Sequence, residues 1–357
     1  MDKRLLKQYS FKSLPNNQST VRNVFASPTM QFVLFGVIMC VVGALATAKI
    51  LPYSWQSAFS TTFSYAIASV GFCLLMGYSG LASLGTGGFI GIGTYSVHYI
   101  MAESGLTLGV AIVVATAVAV VIGVIVGFIS LRIEGIYLVI LTLGLSEILR
   151  NIYMALQDKI TLSKPTIFGI EIPRQASIYL VMVALVVVMI LTSNLINSPT
   201  GRAMLAMKNS TSAAQAMGIS LLKYRLLAFV ICTAYASLAG VMLMVTVRSA
   251  TASYGTGFYA LITSLNILAA VIIGGYKSIW GAIFGTFIMY GLQTTLLNNV
   301  QFLSENPVII TFISGVLVIV VVMFYPGGVA QLIAELKAKI KKALAKRKEA
   351  IYGKDLG

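Results

Sequence analysis

The stretch Ser198–Gly240, SPTGRAMLAMKNSTSAAQAMGISLLKYRLLAFVICTAYASLAG, decides how this chain is read. A polar, cationic, helix-capable loop lies there between two runs, Ile178–Ile196 and Leu226–Val247, that are apolar enough to cross a bilayer. Pro199, Thr200 and Gly201 end the first run, and Arg202 to Lys208 can form a short helical stretch. Asn209 to Ser212 offer N-cap residues for a second helix through Ala213, Ala214, Gln215, Ala216 and Met217, and Gly218 stands where a residue of positive φ would stop it. A small helix with no bulky charge on its tip fits a groove on another protein. The plainer alternative is an amphipathic loop lying at the interface.

Outward from that loop the chain is of one kind. Of its 357 residues 58% are hydrophobic and only 10% charged, and the mean hydropathy is +0.92. A helix rises about 1.5 Å per residue and the hydrocarbon core is about 30 Å thick, so roughly 20 apolar residues make one crossing. The expected fold is an all-α, polytopic membrane helix bundle of about ten transmembrane segments. On the N-terminal side of the loop these are Thr29–Ala48, Ser57–Met76, Leu81–Met101, Leu106–Leu131, Ile136–Leu156 and Ile178–Ile196. Leu226–Val247, Phe258–Gly274, Ile279–Asn298 and Val308–Phe324 follow it. Gly77 to Gly80 and Gly275 to Ser278 join neighbouring runs so closely that either pair can instead be a broken or re-entrant element. The domain order is a basic segment over 1–28, a transmembrane domain over 29–326 carrying the loop at about 197–225, and a basic amphipathic tail over 327–357. In that tail Leu332, Leu336, Ile340 and Leu344 recur four apart between lysines, a pattern for the cytoplasmic leaflet.

Basic residues fix orientation, because lysine and arginine resist transfer to the outer face. With an even number of crossings and the N-terminus inside, most of the 25 basic residues fall on the cytoplasmic side, including Arg202, Lys208, Lys223, Arg225 and Lys277. Lys49, Lys159, Lys164, Arg174 and Arg248 fall outside and Arg150 within a span. Both termini and the loop are therefore expected in the cytoplasm of a cell whose plasma membrane holds the chain. The net charge of +15 is then spread beside anionic lipid headgroups, and no nucleic-acid partner is expected. The first 28 residues show no signal-peptide pattern, so the first span is expected to be retained.

Three further patterns mark the interior. Small residues recur four apart at Ser83, Gly87 and Gly91, at Gly123 and Gly127, and at Gly281 and Gly285, which lets helix backbones approach closely. The run Gly77–Tyr95, GYSGLASLGTGGFIGIGTY, is denser in glycine than packing alone explains, so Gly85, Thr86, Gly87, Gly88 and Phe89 are candidate pathway residues on a helix that breaks. It also resembles GYKSIWGAIFGTFI at Gly275–Ile288 without a gap, as a parallel repeat would. Glu147 and Arg150, on one helix face at i, i+3, are either a ligand contact or a self-neutralising ion pair, and the energetics favour the pair. Asn266 and Gln293 can line a polar path or bond between helices. Cys40, Cys73 and Cys232 read as small packing residues, and His98, the only histidine, as a helix-end polar contact with no metal site or catalytic set around it.

The loop and the helix after it resemble the coupling loop of branched-chain amino acid ABC-importer permeases. LRIEGIYLVILTLGLSEILRN at Leu131–Asn151 and GGYKSIWGAIFGTF at Gly274–Phe287 resemble further signatures of that family, in the family's order, and the first favours its LivM-type subunit over the LivH-type companion. The resemblance implies a transmembrane subunit that docks a loop helix into a cytosolic ATPase, with Gly201, Arg202, Ala213, Ala214 and Gly218 matching the loop's recurring positions. It also implies a second permease subunit (LivH-like or a copy of this chain), two cytosolic ABC ATPases and an extracytoplasmic solute-binding protein. Thr86 departs from the Gln or His frequent in relatives, Ser210 to Ser212 from an acidic residue, and Lys277 from a small one. The chain has no phosphate loop of its own, so no cofactor is expected on it, and ATP and Mg are expected on the partner ATPase. The alternatives are an ABC importer permease for urea, nucleosides or another small polar solute and, as a different class, an ion-coupled secondary transporter, which leaves the loop unexplained.

Overall fold

The computed structural model describes residues 28–47, 53–130, 135–157, 159–162, 165–167, 170–252 and 261–291, with isolated positions between 309 and 335. The basic N-terminal segment, Arg132, Lys164, Gln293, most of the tenth expected span and most of the amphipathic tail lie outside the described residues.

Helices make up the described architecture. They are α1 (Pro28–Thr47), α2 (Tyr53–Leu74), α3 (Thr86–His98), α4 (Leu108–Ser130), α5 (Ile136–Leu156), α6 (Ser177–Asn197), α7 (Pro199–Asn209), α8 (Thr211–Ala216), α9 (Leu221–Val247), α10 (Leu261–Gly274) and α11 (Ile279–Thr286). Single π-turns continue α2 over Leu75–Ser79, α3 over Tyr99–Glu103 and α11 over Phe287–Gly291. Five helical stretches among the described residues are long and apolar enough to cross a membrane: Trp55–Ser79, Leu108–Ser130, Ile136–Leu156, Arg174–Asn197 and Leu221–Val247. The expected count of about ten is therefore met only in part. At 14 residues α10 reaches about 21 Å, less than a hydrocarbon thickness.

Two small ribbons, not expected from the sequence, join the helices without changing the mostly helical class. β1 (Lys159–Thr161) pairs antiparallel with β4 (Ser249–Thr251), Ile160 facing Ala250, and β2 (Thr166–Ile167) pairs with β3 (Ile170–Glu171). They form in the links that follow α5 and α9, where backbone leaving a helix needs new hydrogen-bond partners.

The core is built around α9, which packs against α2, α3 and α4. Backbone meets backbone where side chains are absent: a Cβ on Gly93 of α3 would overlap the Ser237 carbonyl of α9, and one on Gly240 would overlap the Ile90 carbonyl. Gly123 and Gly127 of α4 lie against Thr233 and Phe229 of α9. Gly274 and Gly281 close the α10–α11 hairpin against each other, while Gly285 seats on the Ala270 carbonyl. The expected stripes in the fourth and ninth spans are thus contact faces. In the third span Gly91 meets the Tyr153 ring, and the close backbone approach belongs to Gly93, off the expected stripe.

The loops sort onto two faces. His98, Thr161, Arg248 and Ile172 meet on one, through His98 Nδ1 to the Thr161 carbonyl at 3.1 Å and an Arg248 guanidinium bond to the Ile172 carbonyl. Gly77, Lys208, Tyr276 and Lys277 meet on the other. His98 is the helix-end contact expected of it, and Cys73 and Cys232 are buried in helix packing.

Candidate functional site

The loop at residues 198–220 folds as two capped helices. Ser198 donates its hydroxyl to the Leu195 carbonyl at 2.6 Å and accepts from the Gly201 N–H, and Pro199 takes the first helical position of α7, where its missing N–H is not needed. The corner is tight, since a Cβ on Gly201 would overlap the Leu195 and Ile196 carbonyls. Arg202 is exposed and bonds the Asn197 carbonyl at 3.1 Å, which ties the helix that it sits on to the end of α6. Among the expected cap residues Ser210 is the one used: its hydroxyl accepts from the Ala213 N–H at 3.3 Å.

Gly218 ends α8 at φ 79°, as the sequence predicts. Its N–H reaches the Gln215 carbonyl and the Ile219 N–H the Ala214 carbonyl, both at 2.9 Å, the paired bonds of a Schellman stop. Ala214 is buried against the chain itself, so the exposed tip consists of Ala213, Gln215, Ala216 and Met217, the last 81% exposed. A depression of about 550 Å³ lies beside it, lined by Gln215, Gly218, Leu222 and Arg225 among others.

A second constellation surrounds the start of α3. The chain leaves α2 at Gly80 (φ 75°), runs without helix to Gly85, and only then begins α3 at Thr86. The break lies inside the bundle: the Leu84 N–H bonds Thr142 Oγ1 at 3.0 Å, and Thr142 stands about 9 Å along α5 from its first residue. Helix starts leave N–H groups unpaired. Here neighbours supply the acceptors, Ser264 Oγ for Gly87 at 2.8 Å and Ser146 Oγ for Gly88 at 3.0 Å. Gly88 also lets α5 approach, since a Cβ there would sit 3.0 Å from Ser146 Cα, and Tyr153 donates to the Gly88 carbonyl at 2.8 Å. Phe89 is buried edge-on to Phe229. The Thr86 hydroxyl is buried with no hydrogen-bond partner among the described residues. Gly85, Thr86, Gly87, Gly88 and Phe89 are thus brought together with Thr142, Ser146 and Ser264, three residues the sequence reading did not single out.

The other pathway candidates lie on the same two helices as Ser146 and Ser264. Arg150 is buried and holds the Glu147 carboxylate through Nε at 3.0 Å, while its Nη1 donates to the Ala252 carbonyl at 3.2 Å. The pair therefore fastens the link after β4 to α5. Glu147 stays 40% exposed and Asn151 is exposed on the same helix. Asn266 lies half-buried on α10, where the Tyr290 hydroxyl donates to the Thr263 carbonyl at 3.4 Å and its ring stacks on Tyr65 at 4.0 Å, which joins α10 to the π-turn after α11.

Lys208, the last basic residue of α7, reaches out of the loop. Its Nζ donates to the Met76 carbonyl at 3.1 Å and the Gly77 carbonyl at 2.8 Å and lies 4.4 Å from the centre of the Tyr276 ring. Partial burial, and then the nearby charge of Lys277, push its pKa below the usual lysine range. In the sequence it reads only as a marker of sidedness. The further signal was its place in the last turn of a helix, two residues before an N-cap.

A bundle of apolar helices with a glycine-opened break inside it and a doubly capped two-helix loop outside it has the architecture of a multi-pass membrane protein. Residues 56–322 match the family described as the branched-chain amino acid transport system permease component, and the chain belongs to that family of ABC transporter permeases. It is 30% identical over 260 residues, 64% of its length and 60% of the relative's, to the high-affinity branched-chain amino acid transport system permease protein LivM of Escherichia coli K12. It is 29% identical over the same extent to LivM of Salmonella typhimurium, and 27% identical over 125 residues, 34% of this chain, to the probable ABC transporter permease protein YphD of Escherichia coli K12. The matched region spans about three fifths of the length of the two LivM proteins. No solved structure matches the chain.

Proposed function

We propose that this chain is the permease subunit of an ABC importer for branched-chain amino acids, moving solute by alternating access while a separate ATPase supplies the energy. In this reading the α7–α8 face is cytoplasmic, α8 seats in a groove of a cytosolic ATPase, and ATP and Mg are held there. Two such ATPases, a second permease subunit and an extracytoplasmic binding protein complete the assembly, in the plasma membrane of a prokaryotic cell. One observation carries it. A six-residue helix is stopped at both ends by its own capping bonds while its outer face is left bare, which presents a fixed surface to a partner. The tip, Ala213, Gln215, Ala216 and Met217, carries no charged side chain, so no charge need be buried where a groove wall approaches.

The break at Gly80–Gly85 supports a path beside α3. Non-helical backbone at bilayer depth is tolerated where it is buried in protein or lines a cavity. The serine and threonine hydroxyls that hold it are neutral and able to exchange partners, and the partnerless Thr86 hydroxyl can take a solute's polar group. Co-expression with candidate ATPase and binding-protein partners, purification, and uptake into proteoliposomes test the reading. ATP-dependent uptake of leucine, isoleucine or valine above urea and nucleosides is expected. Uptake by this chain alone under an ion gradient would overturn it in favour of a secondary transporter.

A further inference from the structure

We propose that Lys208 is the positioning residue that carries movement of the α7–α8 loop into the end of the α2 element at Gly77–Gly80, and through it to the start of α3. The inference rests on the importer reading above and adds the mechanical link which that reading lacks.

The geometry is specific. Met76 and Gly77 lie in the last turn of the α2 element, where carbonyls have lost their helical partners. Leu75, just before them, has its carbonyl engaged by the Gly80 and Leu81 N–H groups and the Ser79 hydroxyl. The next two carbonyls are taken by the Lys208 ammonium. The stem of Lys208 crosses Gly80 so closely that a Cβ there would sit 3.2 Å from Lys208 Cγ. Beneath the ammonium lies the Tyr276 face, a cation–π seat. The Tyr276 carbonyl in turn accepts from the Cys73 thiol at 3.2 Å, and the Tyr78 hydroxyl donates to the Lys277 carbonyl at 3.2 Å. One side chain thus bolts α7 to both glycine breaks, the one before α3 and the one between α10 and α11.

Its place in the chain makes that bolt a transmitter. Lys208 lies two residues before Ser210, the cap of the exposed helix α8, so a push on α8 displaces it directly. On the other side, Gly80 is followed at once by the non-helical stretch that leads to Thr86 and to the α3 start held by Ser146 and Ser264.

The test compares Lys208→Met, Lys208→Arg and Tyr276→Leu in the full complex with its ATPase and binding-protein partners, in proteoliposomes, reading solute moved per ATP hydrolysed. Methionine keeps the stem and removes the charge, and coupling is expected to fall by about tenfold or more while ATP hydrolysis continues. Arginine offers charged donors to both carbonyls and stacks on the tyrosine, so it is expected to stay close to wild type. Tyr276→Leu is expected to fall between them. A Lys208→Met complex with the wild-type ratio overturns the proposal. So does a Lys208→Met chain that fails to accumulate when Tyr276→Leu couples normally, since Lys208 then serves the fold alone. Absence of ATP-dependent uptake by the wild-type complex would instead sink the importer reading, so the two failures are distinguishable.

Discussion

Gly93 and Gly240 show what a single residue does in this bundle. Lipid gives helices no hydrophobic reason to associate, so association depends on close packing, and these two glycines let α3 and α9 meet backbone to backbone. Gly93→Ala or Gly240→Ala is expected to destabilise the chain by about 1–3 kcal/mol through overpacking, read as a lower melting midpoint in detergent. Gly144 is the control. It lies within α5 with no atom within 4 Å of a Cβ, so Gly144→Ala is expected to leave the midpoint unchanged or raise it. Gly218 differs again: nothing crowds it, and its demand is purely conformational, at φ 79°. Gly218→Val carries about 1–2 kcal/mol of left-handed strain, so the chain is expected to insert at normal abundance and to lose ATP-coupled uptake. Normal uptake by that variant would count against α8 as the docking element.

At the scale of elements, the start of α3 is held by hydroxyls from two other helices. Ser146→Ala and Ser264→Ala each strand a buried N–H, a loss of about 1–3 kcal/mol apiece. If the α3 start is part of the path, each also alters uptake more than a substitution of equal destabilisation elsewhere, for which Gly240→Ala is the reference. The Glu147–Arg150 pair is a different device, a fastener between α5 and the link after β4. Arg150→Met and Glu147→Gln are both expected to lower the melting midpoint, the first by freeing the Ala252 carbonyl and the second by leaving the buried guanidinium without its carboxylate. An unchanged midpoint in Arg150→Met would contradict that role. The elements were legible unevenly. The bounds of α5 coincide with those read from hydropathy, and Ser210 and Gly218 act as the cap chemistry predicts, because these signals are local. The β1–β4 ribbon was not legible, since its strands are short and far apart in sequence with no alternation to reveal them. Nor was the use of Gly93 over the Ser83–Gly87–Gly91 stripe, because contact depends on the rotation of two helices against each other and the sequence states only the spacing within one.

For the whole molecule, the sorting of described loops onto two faces agrees with the distribution of basic residues. Lys208 and Lys277 gather on one face, and Arg248 and Lys159 on the other. Counting charges treats every lysine as the same mark of sidedness, which is why the particular engagement of Lys208 with the α2 terminus was hidden. The reading of the molecule depends on what touches the bare tip of α8. A photo-crosslinking amino acid in place of Met217, activated in intact cells, gives the most direct measurement. The account predicts one dominant adduct with a cytosolic ATPase that carries a phosphate-binding loop. Capture of an extracytoplasmic protein, or no protein adduct at a position that exposed, would contradict it.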